Sequence, residues 1–227
     1  MRILALETTE LVGGVAALNH RKLLAEITLD PQKRSAQSLA PGIKSVLEQV
    51  DWRPGDVQLV AVTVGPGSFT GLRVGVATAK TFAYAVGAEV LGIDTLEAIA
   101  AGVPDEIPAV SVAVDAQRGG VVAGSFERDA DGWFRPVAEG KLIDARQWLD
   151  SLPAGTLIAG PVLRKLADRV PEHVRVLDSK YWHPKAATVG LLAARDHAAG
   201  RRDDLWSLVP RYSRRSAAEE KWDEKNR

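Results

Sequence analysis

The most specific chemical pattern in the sequence is a glycine-rich segment between an apolar run and a long helical stretch, Gly65-Pro66-Gly67-Ser68-Phe69-Thr70-Gly71. Glycine permits positive φ and a close approach of the backbone to another group. Ser68 or Thr70 is suited to cap the helix, whose first free N–H groups would then face an anion. The segment is therefore either a phosphate-binding loop or a well-capped strand-to-helix turn. Because the lysine of a Walker loop is missing, spacing alone favours the turn.

Acidic side chains end two of the predicted strands. Glu7-Thr8-Thr9 follows the apolar run from Arg2 to Leu6, and Asp115 follows a second apolar run that begins at Ala109. In actin-like and sugar-kinase-like ATPases, an acidic residue at the end of the first strand lies near the metal and the phosphates. The residues alone leave two interpretations open, a phosphate or metal ligand and a plain strand end followed by a turn.

Side chains suited to catalysis are scarce. The sequence contains four histidines, which are His20, His173, His183 and His197. No two of them have the i, i+4 spacing of a helical metal site. Cysteine is absent, which excludes disulfides, thiol catalysis and cysteine-ligated metals. Nothing in the sequence argues for a triad around Ser68 or Ser125, so we predict no catalytic residue and no metal site.

A row of small residues follows the glycine-rich segment at four-residue spacing, namely Gly71, Gly75, Ala79, Ala83 and Gly87. Such a row lets the backbone of another helix approach closely. A glycine inside a helix costs up to ~1 kcal/mol relative to alanine, and close packing is the obvious compensation at Gly75. The neighbouring helix belongs either to the same domain or to another subunit.

The elements that must position these residues alternate in a recurring order. The first third reads as three strands, a helix, a strand, a helix, a strand and a helix, and the order partly recurs after Pro104 and Pro108. No repeat is visible in the sequence itself. We therefore predict an α/β protein with two β-β-β-α halves, residues 1–104 and residues 105–227.

Composition limits the classes of partner. The 227 residues include 29 Lys plus Arg and 29 Asp plus Glu, so the formal net charge is +0. A protein that binds nucleic acid alone usually has a basic surplus, so any such role is expected to be shared. No apolar stretch approaches the ~20 residues of a membrane helix, and a cytoplasmic protein without membrane contact is expected. The charged tail Ser213–Arg227 is either solvated or, with Arg211, Arg214 and Arg215, an RNA contact.

Several of these segments together resemble a known family. The run from Gly65 to Gly75, with Leu4-Ala5-Leu6-Glu7-Thr8-Thr9, strongly resembles the TsaB family of bacterial tRNA threonylcarbamoyladenosine synthesis. Ser35–Pro41 and the pattern Pro210-x-Tyr212-x-Arg214-x-Ser216-x-Ala218 match further segments of that family. The resemblance implies an actin-like (ASKHA) fold with two RNase-H-like halves, in agreement with the order of elements.

The resemblance also implies a function. It implies a non-catalytic subunit that dimerises with the related TsaD, with the ATPase TsaE joining them. The complex transfers a threonylcarbamoyl group to the adenosine next to the tRNA anticodon. The chain would contact tRNA only through the complex, and a homodimer is an option when the chain is isolated. It would have no cofactor of its own, with ATP or ADP possible at the subunit boundary.

Two sets of site residues follow from the resemblance. The expected subunit interface consists of Gly71, Leu72, Arg73, Gly75, Ala79 and Ala83. The expected degenerate nucleotide site consists of Glu7, Thr8, Gly65, Gly67, Ser68 and Thr70.

The sequence departs from the family in three places. Glu7 stands where many members have Asp, and Asp115–Gly120 departs from the commoner Asp-Ala-Arg-x-x-Glu pattern, so it is given no role. Pro161 removes an N–H donor from the turn that binds phosphate in true ATPases. These departures disfavour independent ATP chemistry. The alternatives that stay open are a glycoprotease-type peptidase, a small-molecule kinase of the actin-like class and an RNA-binding module.

Overall fold

In the computed structural model, which describes residues 1–32, 35–214 and 222, the elements form two β-sheets with helices on their faces. The strands are β1 (Arg2–Glu7), β2 (Gly14–Asn19), β3 (Lys22–Thr28), β4 (Leu59–Gly65), β5 (Glu89–Asp94), β6 (Ala109–Asp115), β7 (Gly120–Arg128), β8 (Phe134–Pro136), β9 (Lys141–Asp144), β10 (Leu157–Ala159) and β11 (Arg175–Val176). The α-helices are α1 (Ser35–Gln49), α2 (Phe69–Val86), α3 (Thr95–Ala100), α4 (Ala145–Asp150), α5 (Leu163–Leu166) and α6 (Ala186–Ala198). Short 3-10 turns lie at Pro54–Asp56, Ala167–Arg169 and Ser179–Tyr181.

The first sheet has the strand order β3-β2-β1-β4-β5. β1 is antiparallel to β2 and parallel to β4, and both faces of β1 are covered. Leu4 and Leu6 point to the face that carries α1 and α2, whereas Ile3 and Ala5 point to the opposite face. This double coverage explains why β1 and β4 read as continuous apolar runs instead of alternating ones.

The second sheet repeats the plan of the first. Its order is β11-β10-β6-β7-β8, and β9 also pairs with β7, so the third strand of this half is split in two. β6 is antiparallel to β7 and parallel to β10, as β1 is to β2 and β4. The predicted actin-like α/β fold with two RNase-H-like β-β-β-α halves is therefore confirmed.

The strands of the first sheet lie before residue 104 and those of the second sheet after it, but the last helix does not follow this division. α6 packs on the first sheet, where Val189 and Ala193 lie in one apolar cluster with Ala5. Gly190 permits this approach, because a Cβ at that position would clash with Leu18. Residues 186–214 therefore belong with the first half.

The reverse arrangement occurs at α3, which precedes residue 104 but packs on the second sheet. Its Leu96 and Ile99 pack with Val112 of the second sheet, and the Thr188 hydroxyl of α6 donates to the Ala98 carbonyl at 3.0 Å. The two halves are interlocked through α3 and α6. No helix among the described residues is long and apolar enough to cross a membrane.

Candidate functional site: the glycine-rich loop and the outer face of α2

The glycine-rich loop between β4 and α2 is packed against the protein's own backbone. Gly65 has a φ of 126°, and a Cβ there would clash with the Arg211 carbonyl oxygen. A Cβ on Gly67 would clash with Thr9 in the same way. Glycine is needed at both positions because other parts of the chain approach so closely. Gly65 and Pro66 also line a cavity of about 550 Å³ between the two halves, together with Asp94 and Arg211.

Hydrogen bonds tie this loop to the β1–β2 loop. Ser68 caps α2, and its Oγ accepts from Gly71 N–H at 3.2 Å. Ser68 N–H itself donates to Thr9 O at 2.8 Å, and Thr8 Oγ1 donates to Gly71 O at 2.8 Å. Thr70 is exposed and makes no such contact. Thr8 and Ser68 of the predicted nucleotide site thus form hydrogen bonds with Gly71 and Thr9 of the same chain.

Glu7 is enclosed at the end of β1. Its Oε1 accepts from Thr9 N–H at 2.6 Å and from Thr9 Oγ1 at 2.5 Å. Within the described residues, neither its Oε2 nor the buried hydroxyl of Thr63 has a hydrogen-bond partner. Burial raises the pKa of Glu7 to about 8, against the opposing effect of the Thr9 hydrogen bonds. The carboxyl group is therefore mainly protonated near neutral pH.

These features do not fit a bound Mg-nucleotide. A protonated carboxyl group is a poor ligand for Mg²⁺, which prefers charged oxygen ligands. The described residues also include no group of three or more His, Asp or Glu side chains placed to hold a metal ion. The degenerate nucleotide site at Glu7 and the loop stays a prediction.

The corresponding turns of the second half also have structural roles. Asp115 Oδ1 accepts from Gln117 N–H at 2.8 Å, and its Oδ2 pairs with Lys165 Nζ at 2.5 Å. Of the two interpretations left open for Asp115, the turn cap applies. A Cβ on Gly160 would clash with the Ala113 carbonyl, so the turn before Pro161 is packed on β6 and leaves no room for a phosphate.

A C-terminal strap, defined as residues 206–214, crosses the end of β4. Arg211 N–H donates to Val64 O at 2.6 Å, and the Lys80 ammonium group donates to Trp206 O and Leu208 O at 3.0 and 3.1 Å. The sequence analysis interpreted the tail from Ser213 as solvated or, together with Arg211, as an RNA contact. Arg211 instead lies on the first sheet. The rest of the predicted tail, apart from residue 222, lies outside the described residues.

The predicted interface residue Arg73 holds the strap in place. The rings of Phe69 and Tyr212 lie 4.3 Å apart, and the Arg73 guanidinium lies 4.0 Å from the Phe69 ring centre. Arg73 Nε also donates to the Tyr212 hydroxyl at 2.9 Å. The pattern Pro-x-Tyr-x-Arg singled out Tyr212 in the sequence, but only the fold shows that Tyr212 contacts α2.

The row of small residues on α2 faces inward, so the prediction that it forms a subunit interface is wrong. Ala79 and Ala83 are 0% exposed and Leu72 is 1% exposed. A Cβ on Gly71 or Gly75 would clash with the backbone or hydroxyl oxygen of Thr8. The row allows a close approach, as the spacing indicated, but it brings α2 against β1 and the β1–β2 loop of the same chain.

The opposite face of α2 is exposed, and the sequence analysis did not identify it as a possible binding surface. Ala77, Thr81 and Ala85 lie on it, again at four-residue spacing. With α1 they line an apolar groove of about 770 Å³, here called the α1–α2 groove, whose larger apolar side chains are Ile43, Leu47, Trp52 and Phe82. The signal was present in the sequence, because Ala77, Thr81 and Ala85 lie outside the buried row of α2, whereas Ile43 and Leu47 also belong to the core.

Comparisons with known proteins identify the family. The family model described as TsaD, tRNA N6-adenosine threonylcarbamoyltransferase, matches residues 22–159. The tRNA threonylcarbamoyladenosine biosynthesis protein TsaB of Bacillus subtilis is 29% identical over 98% of both chains. An uncharacterised protein of Mycobacterium tuberculosis is 30% identical over 95% of this chain and 93% of that protein. The solved structure of YeaZ from Pseudomonas aeruginosa has the same fold, with a TM-score of 0.83, 24% identity and coverage of 93% of this chain and 99% of that one. The chain therefore belongs to the TsaD family of threonylcarbamoyltransferase-like proteins and is a homologue of its TsaB members.

Proposed function

We propose that this chain is a non-catalytic subunit of tRNA threonylcarbamoyladenosine biosynthesis that binds a TsaD-type partner. The Bacillus subtilis relative named TsaB, which matches the chain over nearly its full length, supports this process. The observation that carries the subunit role is the α1–α2 groove, an exposed apolar surface on α2 and α1. TsaE-type proteins and tRNA would meet this chain within the complex, and ATP or ADP at the subunit boundary remains a prediction.

The outer face of α2 is the proposed partner-binding surface. Ala77, Thr81 and Ala85 form a row of small side chains that allows a partner helix to approach closely. Phe82 and Trp52 lie half-buried beside this row and offer apolar area for a partner to cover. A stable interface buries about 800 Å² per partner, so a partner would have to cover more than the groove itself. A second copy of the chain could occupy the same surface when the partner is absent.

Independent enzymatic activity has less support. A peptidase needs an activated nucleophile or a metal-bound water, and a kinase needs an open Mg-ATP cleft. The described part of the chain instead presents a protonated Glu7 and a glycine-rich loop packed against Arg211 and Thr9. The chemistry is therefore assigned to the partner.

Co-purification with the TsaD-type protein of the same organism tests the proposal. Ala77→Arg places a long cation in the outer row, and we expect it to weaken partner binding at least about tenfold, or about 1.4 kcal/mol. Ala198→Arg, at the exposed end of α6, is the matched control and should bind like the unaltered chain. Both variants should unfold at similar temperatures. Unchanged binding by Ala77→Arg would contradict this surface.

A further inference from the structure

A second cavity, here called the charged pocket, lies where the two halves meet on the other side of the β1–β2 loop. Its volume is about 360 Å³, and it shares no lining residue with the α1–α2 groove. The β1–β2 loop contributes Glu10 and β3 contributes Glu26. Arg164 of α5 comes from the second half, and His183 and Lys185 precede α6. This volume lies within the usual range of small-molecule sites, about 300–1,000 Å³.

Some of the polar groups in this pocket already have partners. Glu26 Oε1 accepts from Ala187 N–H at the start of α6 at 2.8 Å. Arg164 and His183 Nε2 are 2.8 Å apart, and burial together with the Arg164 charge lowers the pKa of His183. His183 is therefore neutral, and its Nε2 accepts from the guanidinium group.

Two opposite charges in the same pocket have no partner. Among the described residues, neither the Glu10 carboxylate nor the Lys185 ammonium group makes a hydrogen bond or an ion pair, although both line the cavity. Burial raises the pKa of Glu10 to about 7, with Arg164 opposing the shift, so this carboxyl group is shielded from water. Burial of the Glu10 carboxylate is costly although Arg164 and Lys165 oppose it, because neither makes a hydrogen bond or ion pair with it, and a ligand ammonium group in contact with Glu10 would reduce that cost.

The mixture of charges defines the ligand. A simple anion would meet the carboxylates of Glu10 and Glu26, and a simple cation would meet Arg164 and Lys185. A ligand with one charge of each sign avoids both conflicts. The N-terminus of α6, a helix of 13 residues, adds partial positive charge beside Lys185 and strengthens the anionic end of the pocket.

We propose that the charged pocket binds a free α-amino acid, with its carboxylate at Lys185 and Arg164 and its ammonium group at Glu10. Val12 and Pro184 line the remaining wall and suit a small side chain. This inference goes beyond the proposed function, because the subunit role needs only the α1–α2 groove. The pocket can therefore fail its test while partner binding stands, and the reverse also holds.

Titration of the isolated full-length chain with L-serine, followed by amide NMR shifts, tests the pocket. Acetate carries only the carboxylate and ethylammonium only the cation, so they are matched half-ligands. We expect serine to bind with a Kd of order 1 mM, and each half-ligand at least about tenfold more weakly. No shift with serine, or equal binding of acetate, would overturn the proposal without any variant being needed.

Two variants locate the site. Glu10→Gln and Lys185→Met should each weaken serine binding at least about tenfold. Glu127→Gln and Lys180→Met change exposed residues outside the pocket and should leave binding unchanged. Unchanged binding in both pocket variants, with serine still bound, would place the ligand elsewhere and contradict the assignment.

The pH dependence provides a separate readout. The charged groups that act on Glu10 are Arg164 and Lys165 of α5, Asp115 at the end of β6, and Glu7 of β1. The ammonium group of serine needs an ionised Glu10, so binding should weaken as the pH falls below about 7. This loss should be absent in Glu10→Gln. The same pH profile in both proteins would refute the role of Glu10.

Discussion

Replacing Glu7 by glutamine tests the interpretation of the buried carboxyl group at the end of β1. Glu7 is 0% exposed, and its Oε1 accepts two hydrogen bonds from Thr9. The amide oxygen of glutamine can accept the same two bonds. The amide nitrogen of glutamine replaces Oε2. The Thr63 hydroxyl acts on the Glu7 carboxyl group and has no hydrogen-bond partner among the described residues. Glutamine therefore copies the protonated form of Glu7 and cannot ionise.

The magnitude follows from the raised pKa. The carboxyl group has an ordinary pKa of 4.5 when exposed in the unfolded chain and about 8 in the folded protein. The unfolded chain therefore loses this proton first, and folding costs free energy as the pH rises from about 4.5 to about 8. At about pH 7.5 the cost is about 4 kcal/mol, since each pKa unit corresponds to about 1.4 kcal/mol. Below pH 4.5 the cost disappears because both states are protonated.

Urea unfolding of the unaltered chain and Glu7→Gln across this pH range measures the difference. We expect similar free energies of unfolding at about pH 4.5 and an advantage of about 4 kcal/mol for the variant at about pH 7.5. Titrating groups that do not interact with Glu7 cancel in the difference, whereas Glu10, whose charge raises the pKa of Glu7, contributes to it. Glu127→Gln, an exposed control, should show no pH-dependent advantage. Parallel stability curves for the unaltered chain and Glu7→Gln would mean that Glu7 is ionised in the fold, and would refute the reasoning.

Two further substitutions test the packing around α2. Gly75→Leu should prevent folding or lower the free energy of unfolding by more than about 3 kcal/mol, because its Cβ would clash with the Thr8 hydroxyl. Circular dichroism melting measures this, and a stable, folded variant would mean that the inner face of α2 is open. Tyr212→Ala removes the ring stacked on Phe69 and the acceptor for Arg73, and should cost about 1–2 kcal/mol. Hydrogen exchange should then accelerate in residues 206–214, and unchanged exchange would contradict the anchoring of the strap.

The predictable part of the fold is the part encoded by local periodicity. Element type could be predicted for β4 from its apolar run and for α1 from the spacing of Leu39, Ile43 and Leu47. The repeat of a strand or helix determines which side chains are buried on one face. Pro41 lies in the second turn of α1. Its missing hydrogen bond is tolerated there because both Gln37 and Pro41 face solvent.

The unpredictable part depends on contacts between distant segments. Nothing near Gly190 indicates that it faces Leu18, so the return of α6 to the first sheet could not be deduced from its own sequence. The same limit applies to α2. Four-residue spacing of small residues predicts a close neighbour but does not identify it, and both faces of α2 carry such a row. Only the position of Thr8 beside Gly71 shows which face is internal.

The glycine-rich motif can be explained without any nucleotide. Gly65 meets the Arg211 carbonyl, Gly67 meets Thr9 and Gly71 meets the Thr8 carbonyl, so each glycine has a steric requirement within the chain. The bonds from Arg211 N–H to Val64 O and from Ser68 N–H to Thr9 O hold the strap and the β1–β2 loop against these glycines. The motif here therefore serves to hold α2 rigidly against β1, and a rigid α2 is what a partner that binds its outer face requires.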